Sequence, residues 1–385
     1  MTNLSAPKIR LALGTLVFVI ISTACTTFPA QEFKGIKAWI NSEPLTLEDL
    51  RGKVVLIDFW TYTCVSCLRT VPYLQRWNTK YANDGLVIVG VHSPAFEFEK
   101  DYSNVLKATQ ENGITWPVAQ DNDFKTWDKW GNKFWPAKYL IDKDGTVQYS
   151  HFGEGRYDKT EIRIRELLID AGADLSDNPL TPTGDQVEDP AFLDSGRSTT
   201  TRELFAGFVM AELGEYVQQS GFFKNTGSVI ELERPDKLKA GVIYFDGTWI
   251  AWPEYTRHAQ NTTGYEDTIS LVYSARSVNT VLASDSGEPY QVLIKLDGEY
   301  LTEENKGSDV YISAIVESFL NVHQPRMYNI ISEPDYSEDN TLTMSSNSDD
   351  FSIYSFTFGS YAVSYTHLRA HETEADLVCR LLLEK

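Results

Sequence analysis

Residues 59–67 read Phe59-Trp60-Thr61-Tyr62-Thr63-Cys64-Val65-Ser66-Cys67. The two cysteines follow an apolar run at 54–57 and precede an amphipathic stretch at 68–81, which predicts a buried strand, a loop and a helix. Free N–H groups and partial positive charge at a helix N-terminus favour the thiolate of the first cysteine over its thiol. Since the thiolate attacks disulfides, this spacing predicts thiol–disulfide chemistry.

Two other uses of a Cys-x-x-Cys pair fit this sequence less well. A zinc site needs a second pair of ligands, and the sequence has no second Cys-x-x-Cys. A purely structural disulfide between Cys64 and Cys67 closes too short a loop to remove much chain entropy. A redox-active pair is the interpretation that uses the spacing.

Asp58 is a candidate proton acceptor. It lies six positions before Cys64 inside the apolar run, where an isolated carboxylate is costly to bury. Asp58 could take the proton of Cys67 when that thiol attacks a mixed disulfide. The alternative is a structural ion pair with a lysine such as Lys53.

Strands and helices alternate between residues 31 and 172, which predicts a three-layer α/β domain. The expected order is strand 54–59, helix 68–81, strand 85–91, helix 98–113, strand 117–121, a hairpin over 137–149 and helix 159–172. Trp135-Pro136 precedes the hairpin. A cis bond there would set the backbone against the cysteines, whereas a trans bond would make an ordinary turn.

The composition changes after residue 172. Residues 173–200 are rich in Asp, Pro, Thr, Gly and Ser, as expected for a linker. Residues 201–362 contain about eight short strand-like runs between turn residues, which predicts an all-β sandwich of the jelly-roll type. A local aromatic group could stack on sugar rings or fill the core: Trp249, Trp252, Tyr255 and Tyr265.

The two ends of the chain have their own patterns. Residues 1–30 place basic residues before an apolar run, which predicts an export segment and a periplasmic or cell-envelope location. Ser22-Thr23-Ala24-Cys25 resembles a lipoprotein cleavage site that would carry lipid on Cys25, and cleavage after Ala30 is the alternative. Residues 363–385 resemble an adapter-derived read-through, with a genuine terminal helix as the alternative.

Composition limits the classes of function. The chain has 385 residues with 42% hydrophobic content, enough for two domains with cores. The formal net charge of −20 argues against nucleic acid, which needs clustered Lys and Arg. No residue pattern indicates a metal or a cofactor.

Together these motifs resemble the thioredoxin superfamily and, within it, the TlpA-like exported thiol oxidoreductases. The resemblance rests on the Asp58–Cys64 spacing, Trp60, the Cys-x-x-Cys, Pro72 and Pro136. Longer stretches resemble the soluble part of DipZ proteins: 61–70, 90–94, 96–100, 121–123, 135–142 and 151–155.

The resemblance implies a role for each site residue. Cys64 would be the exposed nucleophile and Cys67 the buried resolving thiol. Pro136 would be a cis proline that shapes the substrate groove together with Trp135 and Trp60, and Trp60 would pack beside the disulfide. A carbohydrate-binding-like domain would follow the thioredoxin-like domain.

We therefore expect an exported thiol–disulfide oxidoreductase. The uncharged Val65 and Ser66 between the cysteines favour a reductant or exchange enzyme over a strong oxidant. Its substrates would be disulfide-containing exported proteins, apocytochromes c among them. DipZ proteins carry a membrane domain upstream of this region, so a separate membrane thiol donor of the CcdA/DsbD type is expected.

Two other functions compete with this expectation. A peroxiredoxin-like peroxidase needs a Pro-x-x-x-Thr-x-x-Cys loop; Thr61 is correctly placed, but Ile57 stands where proline is needed. The second is a sugar- or protein-binding adaptor whose cysteines are incidental.

Overall fold

The computed structural model of this chain describes residues 28–180 and 200–360, which form an α/β domain followed by an all-β domain. The predicted lipid site at Cys25 and the predicted tail at 363–385 lie outside the described residues. None of the helices within those two ranges combines the length and apolar character needed to cross a bilayer.

The α/β domain is built around a seven-stranded sheet with strand order β1-β7-β6-β3-β4-β5-β2. Its strands are β1 Phe28–Pro29, β2 Trp39–Ile40, β3 Val54–Trp60, β4 Leu86–His92, β5 Val118–Gln120, β6 Ala137–Ile141 and β7 Thr146–Phe152. Its helices are α1 Val65–Tyr81, α2 Tyr102–Glu111, α3 Lys125–Trp130 and α4 Tyr157–Asp170. β3 runs parallel to β4 and antiparallel to β6, and all seven of its residues are buried because hydrophobic clusters cover both faces of the sheet.

The domain differs from the sequence prediction at four places. Where one helix was expected over 98–113, the chain forms a 3-10 turn at Glu97–Lys100 and then α2. Asp101 separates the two, because its backbone is extended and its carboxylate caps the N-terminus of α2. β1 lies within the segment predicted for export and pairs with β7, and α3 was not predicted. In the stretch expected to be a linker, Leu175 packs into the core of this domain.

The second domain is all-β, as predicted, with one short helix, α5 Phe208–Gly214. Its strands are β8 Leu204–Phe205, β9 Val229–Leu232, β10 Ile243–Ala251, β11 Thr256–His258, β12 Thr268–Ala283, β13 Tyr290–Leu296, β14 Glu299–Tyr300, β15 Val310–Ile312, β16 Ser318–Val322, β17 Arg326–Ser345 and β18 Ser352–Gly359.

These 11 strands form one hydrogen-bonded network. The reason lies in β12, which pairs along one edge with β17. On its other edge, the first part of β12 pairs with β10 and the last part pairs with β18. Residues from these strands share one hydrophobic cluster, so the network wraps around a single core.

The two domains pack against each other at the N-terminal end of α1. We call the buried residues of this contact the interdomain cluster: Val65, Phe96, Val281, Ala283, Met327 and Tyr354. The ring of Tyr354 lies 5.0 Å from those of both Phe96 and Phe98. The second domain therefore covers Val65, one of the two residues between the cysteines.

Candidate functional site

The two cysteines lie where β3 passes into α1. Cys64 is the N-cap residue of α1, with extended backbone angles, and the backbone N–H of Cys67 donates to its Sγ at 3.2 Å. The Cys64 sulfur therefore accepts a hydrogen bond from the first turn of α1. The two sulfur atoms lie 2.6 Å apart and are not bonded to each other.

The cysteines differ in access to solvent. Cys64 is half-buried, whereas Cys67 is 2% exposed and packs in the core beside Trp60. Burial raises the pKa of the Cys67 thiol well above its usual value, and the hydrogen bond to Cys64 raises it further. An incoming disulfide can meet Cys64 directly, and Cys67 needs a proton acceptor before it can react.

Asp58 is the candidate for that acceptor. It is 4% exposed in β3, and its charge adds to the raised pKa of Cys67. Burial raises the pKa of the Asp58 carboxyl to about 6, and the charge of Lys138 opposes this shift. Above that pH the carboxylate form, which can accept a proton, prevails.

Lys138, and not Lys53, is the lysine that faces Asp58. Lys53 is exposed at the start of β3, whereas Lys138 stands directly opposite Asp58 in the antiparallel β3–β6 pair. The sequence analysis did not identify Lys138 as a site residue. The signal was a lone lysine inside the apolar run 137–141, which immediately follows Pro136.

The Trp135-Pro136 peptide bond is cis. Ala137 pairs with Phe59, so Pro136 lies beside the end of β3 from which the chain continues to Cys64. Trp135 is half-buried against Trp127, with ring centroids 4.4 Å apart, and it also packs against the core cluster that contains Cys67.

Trp60 is placed differently from Trp135. It is 2% exposed in the core cluster that contains Cys67, so it packs beneath the cysteines instead of lining an open groove. Its ring meets that of His92 edge to face at 5.2 Å. His92 is fully buried and stacks on Tyr62 at 5.7 Å, and burial lowers its pKa to about 3. His92 is therefore neutral at the pH where the cysteines react.

Glu99 is a second residue that the sequence analysis missed. Its fully buried carboxylate accepts hydrogen bonds from the backbone N–H and the hydroxyl of Thr63 at 3.2 and 2.7 Å. It also accepts from the backbone N–H of Phe96, a member of the interdomain cluster, at 3.1 Å. Glu99 thus ties the loop before Cys64 to the surface on which the second domain packs.

The aromatic group predicted in the second domain is not one surface. Trp249 is fully buried in the core, and Tyr265 packs near Phe319. Tyr255 stacks on Tyr354, with Trp252 next to it, and so extends the interdomain cluster. The structure does not bring these four rings together, and sugar binding stays a prediction.

Two protein families match this chain. Residues 26–150 match the AhpC/TSA family, and residues 202–359 match the thioredoxin like C-terminal domain family. Protein DipZ of Mycobacterium bovis is 36% identical over 264 residues, which cover 67% of this chain and 35% of DipZ. The thiol-disulfide oxidoreductase YkuV of Bacillus subtilis is 34% identical over 143 residues, which cover 37% of this chain and 95% of YkuV. A solved thioredoxin-like protein in the oxidized form is 34% identical, with a TM-score of 0.35, and the match covers 37% of this chain and 95% of that one.

Proposed function

This chain belongs to the thioredoxin-like thiol–disulfide oxidoreductases, and from that premise we propose that it reduces or exchanges disulfides in proteins outside the cytoplasm. The predicted family is confirmed. The match spans about a third of the length of DipZ, so the client proteins, the electron donor and the location are proposals for this chain.

The observation that supports the proposal is that Cys64 is partly accessible to solvent, whereas Cys67 is buried. Cys64 attacks the client disulfide, because its sulfur is accessible and receives the Cys67 N–H. A mixed disulfide then joins Cys64 to the client. Cys67, held 2.6 Å from the Cys64 sulfur, attacks that bond after Asp58 takes its proton, and the reduced client leaves.

The surface around Cys64 limits how a client approaches. Val65 is 7% exposed because the second domain covers it. On the other side, Trp135 is half-buried and Phe134 is 52% exposed beside Pro136. A client therefore reaches Cys64 from the Pro136 side, where an extended segment fits more readily than a folded surface.

The proposed direction is reduction or exchange. Val65 and Ser66 bring no charge or imidazole between the cysteines, so the extra thiolate stabilisation of strong oxidants is missing. Sustained turnover then needs a thiol donor, for which we propose a membrane protein of the CcdA/DsbD type. Apocytochromes c are proposed clients, and the second domain is a proposed carbohydrate- or protein-binding module.

Reduction of insulin disulfides tests the proposed function. The wild type should reduce insulin with dithiothreitol as donor, Cys64→Ser should not, and Cys67→Ser should accumulate a mixed disulfide visible by mass spectrometry. Equal activity in the wild type and Cys64→Ser would support the adaptor instead. Peroxide consumption without insulin reduction would support the peroxidase.

The potential and the location are measured separately. Equilibration with glutathione should give a potential more reducing than about −200 mV, and a value near about −120 mV would place the protein with strong oxidants. Cell fractionation tests the export proposal, which rests on residues 1–30. Loss of radiolabelled fatty acid in Cys25→Ser, compared with the wild type, tests the lipid anchor.

A further inference from the structure

The hairpin of β15 and β16 ends in an exposed apolar turn. The two strands pair antiparallel, and residues 313–317 connect them. We call the three central residues of this turn the hairpin tip: Ala314, Ile315 and Val316. All three are exposed, Ile315 by 75% and Val316 by 65%. A run of exposed apolar residues of this length is unusual on a protein surface unless it has a function.

The backbone of the hairpin tip is strained at Val316. The N–H of Val316 donates to the carbonyl of Ser313 at 2.9 Å, and Val316 has a φ of 66°. In a hairpin loop of this kind, the residue after the tight turn is left-handed, and glycine is the usual choice there. Valine is poorly suited to that position, because its branched Cβ is crowded at positive φ. The chain therefore places an exposed valine where glycine would be less strained, which indicates that the apolar side chain is used.

Half-buried tyrosines surround the base of the hairpin tip: Tyr265, Tyr300 and Tyr311. The hydroxyl of Tyr300 donates to Oε1 of Glu317, in the turn itself, at 3.2 Å. The rings of Tyr265 and Tyr311 lie 5.9 and 6.0 Å from that of Phe319 in β16. Tyrosine collects at the boundary between hydrocarbon and water, because its ring is apolar and its hydroxyl is polar. An apolar point with tyrosines behind it therefore fits the boundary region of a lipid bilayer.

The hairpin tip lies at the end of β16 that is remote from the first domain. Beyond the other end of β16, the carbonyl of Pro325 accepts a hydrogen bond from the hydroxyl of Tyr62 at 3.5 Å, and Met327 belongs to the interdomain cluster. β16 has five residues, so at about 3.3 Å per residue the tip lies roughly 15 Å from this contact. A surface that receives the hairpin tip therefore leaves the first domain, with Cys64, away from that surface.

We propose that the hairpin tip inserts into the headgroup region of a lipid bilayer and holds the second domain against it. A protein partner is the weaker match, because a stable protein interface needs about 800 Å² from each partner and a single projecting turn supplies a small part of that area. This inference goes beyond the proposed function and does not depend on it.

The charges beside the turn indicate which lipids suit the hairpin tip. Two acidic residues, Glu299 and Glu317, and one lysine, Lys295, flank it, and the Lys295 Nζ lies 4.6 Å from the centroid of the Tyr300 ring. The whole chain has a formal net charge of −20. An anionic membrane would repel this surface, so the bilayer that fits is one of zwitterionic lipids.

Flotation of the full chain with phosphatidylcholine vesicles tests the inference. The variants are Ile315→Gln, Val316→Gly and the two together, and Leu213→Gln is the matched control because Leu213 is 76% exposed on α5. Val316→Gly relieves the positive φ, so it should keep or raise the free energy of unfolding in urea while it weakens vesicle binding. Two membrane contacts on one chain multiply their partition constants, so the variants differ by the same factor whether or not residues 1–30 also bind.

The double variant should lose at least about tenfold in vesicle partitioning, and Leu213→Gln should stay within about twofold of the wild type. Replacing part of the phosphatidylcholine by phosphatidylglycerol should weaken binding of the wild type. Equal partitioning of the wild type and a folded double variant, or stronger binding to the phosphatidylglycerol vesicles, would overturn the inference.

Hydrogen exchange on the same vesicles gives a local measurement. Amide exchange at residues 314–317 should slow by at least about fivefold when vesicles are added, whereas exchange at the polar turn 286–288 should not change. Slowing at 314–317 that depends on the protein concentration and not on lipid would show a contact between copies of the chain and overturn the bilayer contact. The tip variants should reduce insulin as the wild type does, so failure of the proposed function is seen separately.

Discussion

Replacement of Tyr354 by alanine measures how firmly the two domains hold together. Tyr354 is 5% exposed, and its ring lies 5.0 Å from Phe96, 5.0 Å from Phe98 and 4.8 Å from Tyr255. Truncation of a buried aromatic side chain to alanine lowers stability by about 3–5 kcal/mol. Three ring pairs at about 0.5–1.5 kcal/mol each give a similar total. We expect Tyr354→Ala to lower the free energy of unfolding by about 4 kcal/mol.

Urea unfolding followed by tryptophan fluorescence checks this value. With a slope of about 3 kcal/mol/M, the midpoint should fall by about 1 M. Tyr102→Ala is the matched control, because Tyr102 is 46% exposed at the start of α2 and its loss should change stability by no more than about 0.5 kcal/mol. Equal midpoints for the two variants would refute the tight interdomain packing.

Three more variants test the surroundings of the site. Burial lowers the pKa of His92 to about 3. As the pH falls from 6.5 toward 3, the histidine of the unfolded chain therefore binds a proton that the folded chain does not bind, and the free energy of unfolding decreases. Between pH 6.5 and 4.5 the wild type should therefore lose about 2 kcal/mol relative to His92→Gln in urea unfolding, and parallel pH curves would contradict this. Arg69→Met should lower stability by about 3–5 kcal/mol in thermal unfolding, because it leaves the buried Glu154 carboxylate without the guanidinium. Replacement of both Arg69 and Glu154 by Met should leave the stability nearly unchanged. Glu99→Gln should lower the free energy of unfolding in urea by about 2 kcal/mol, because it weakens the hydrogen bonds from Thr63 and Phe96. A decrease below about 0.5 kcal/mol would show that the amide accepts these hydrogen bonds as well as the carboxylate does.

The residues that the sequence identified at the site share one property, which is that their signal is local. Cys64 and Cys67 are recognisable from their spacing and their position between a strand and a helix, and Asp58 from its charge within an apolar strand. Lys138 was missed because its partner is 80 positions away in sequence, across the β3–β6 pair. Periodicity assigns a lysine to a strand but does not say which strand lies beside it.

The second domain shows the same limit. The sequence predicted only short strands over 201–362, whereas β12 continues through 16 residues. Register shifts between Tyr273 and Ser277 interrupt the alternation without ending the pairing with β17. The cover over Val65 was also missed, because packing between domains depends on surfaces that form only after each domain has folded.

The second domain begins and finishes on neighbouring strands. β8 pairs with β18 through Leu204 opposite Phe356 and Phe205 opposite Ser355. Strands that pair in this way lie about 5 Å apart, so a short bridge of a few residues could join them. The domain therefore has the layout of a cassette that tolerates circular permutation or transplantation into a surface loop of an unrelated carrier.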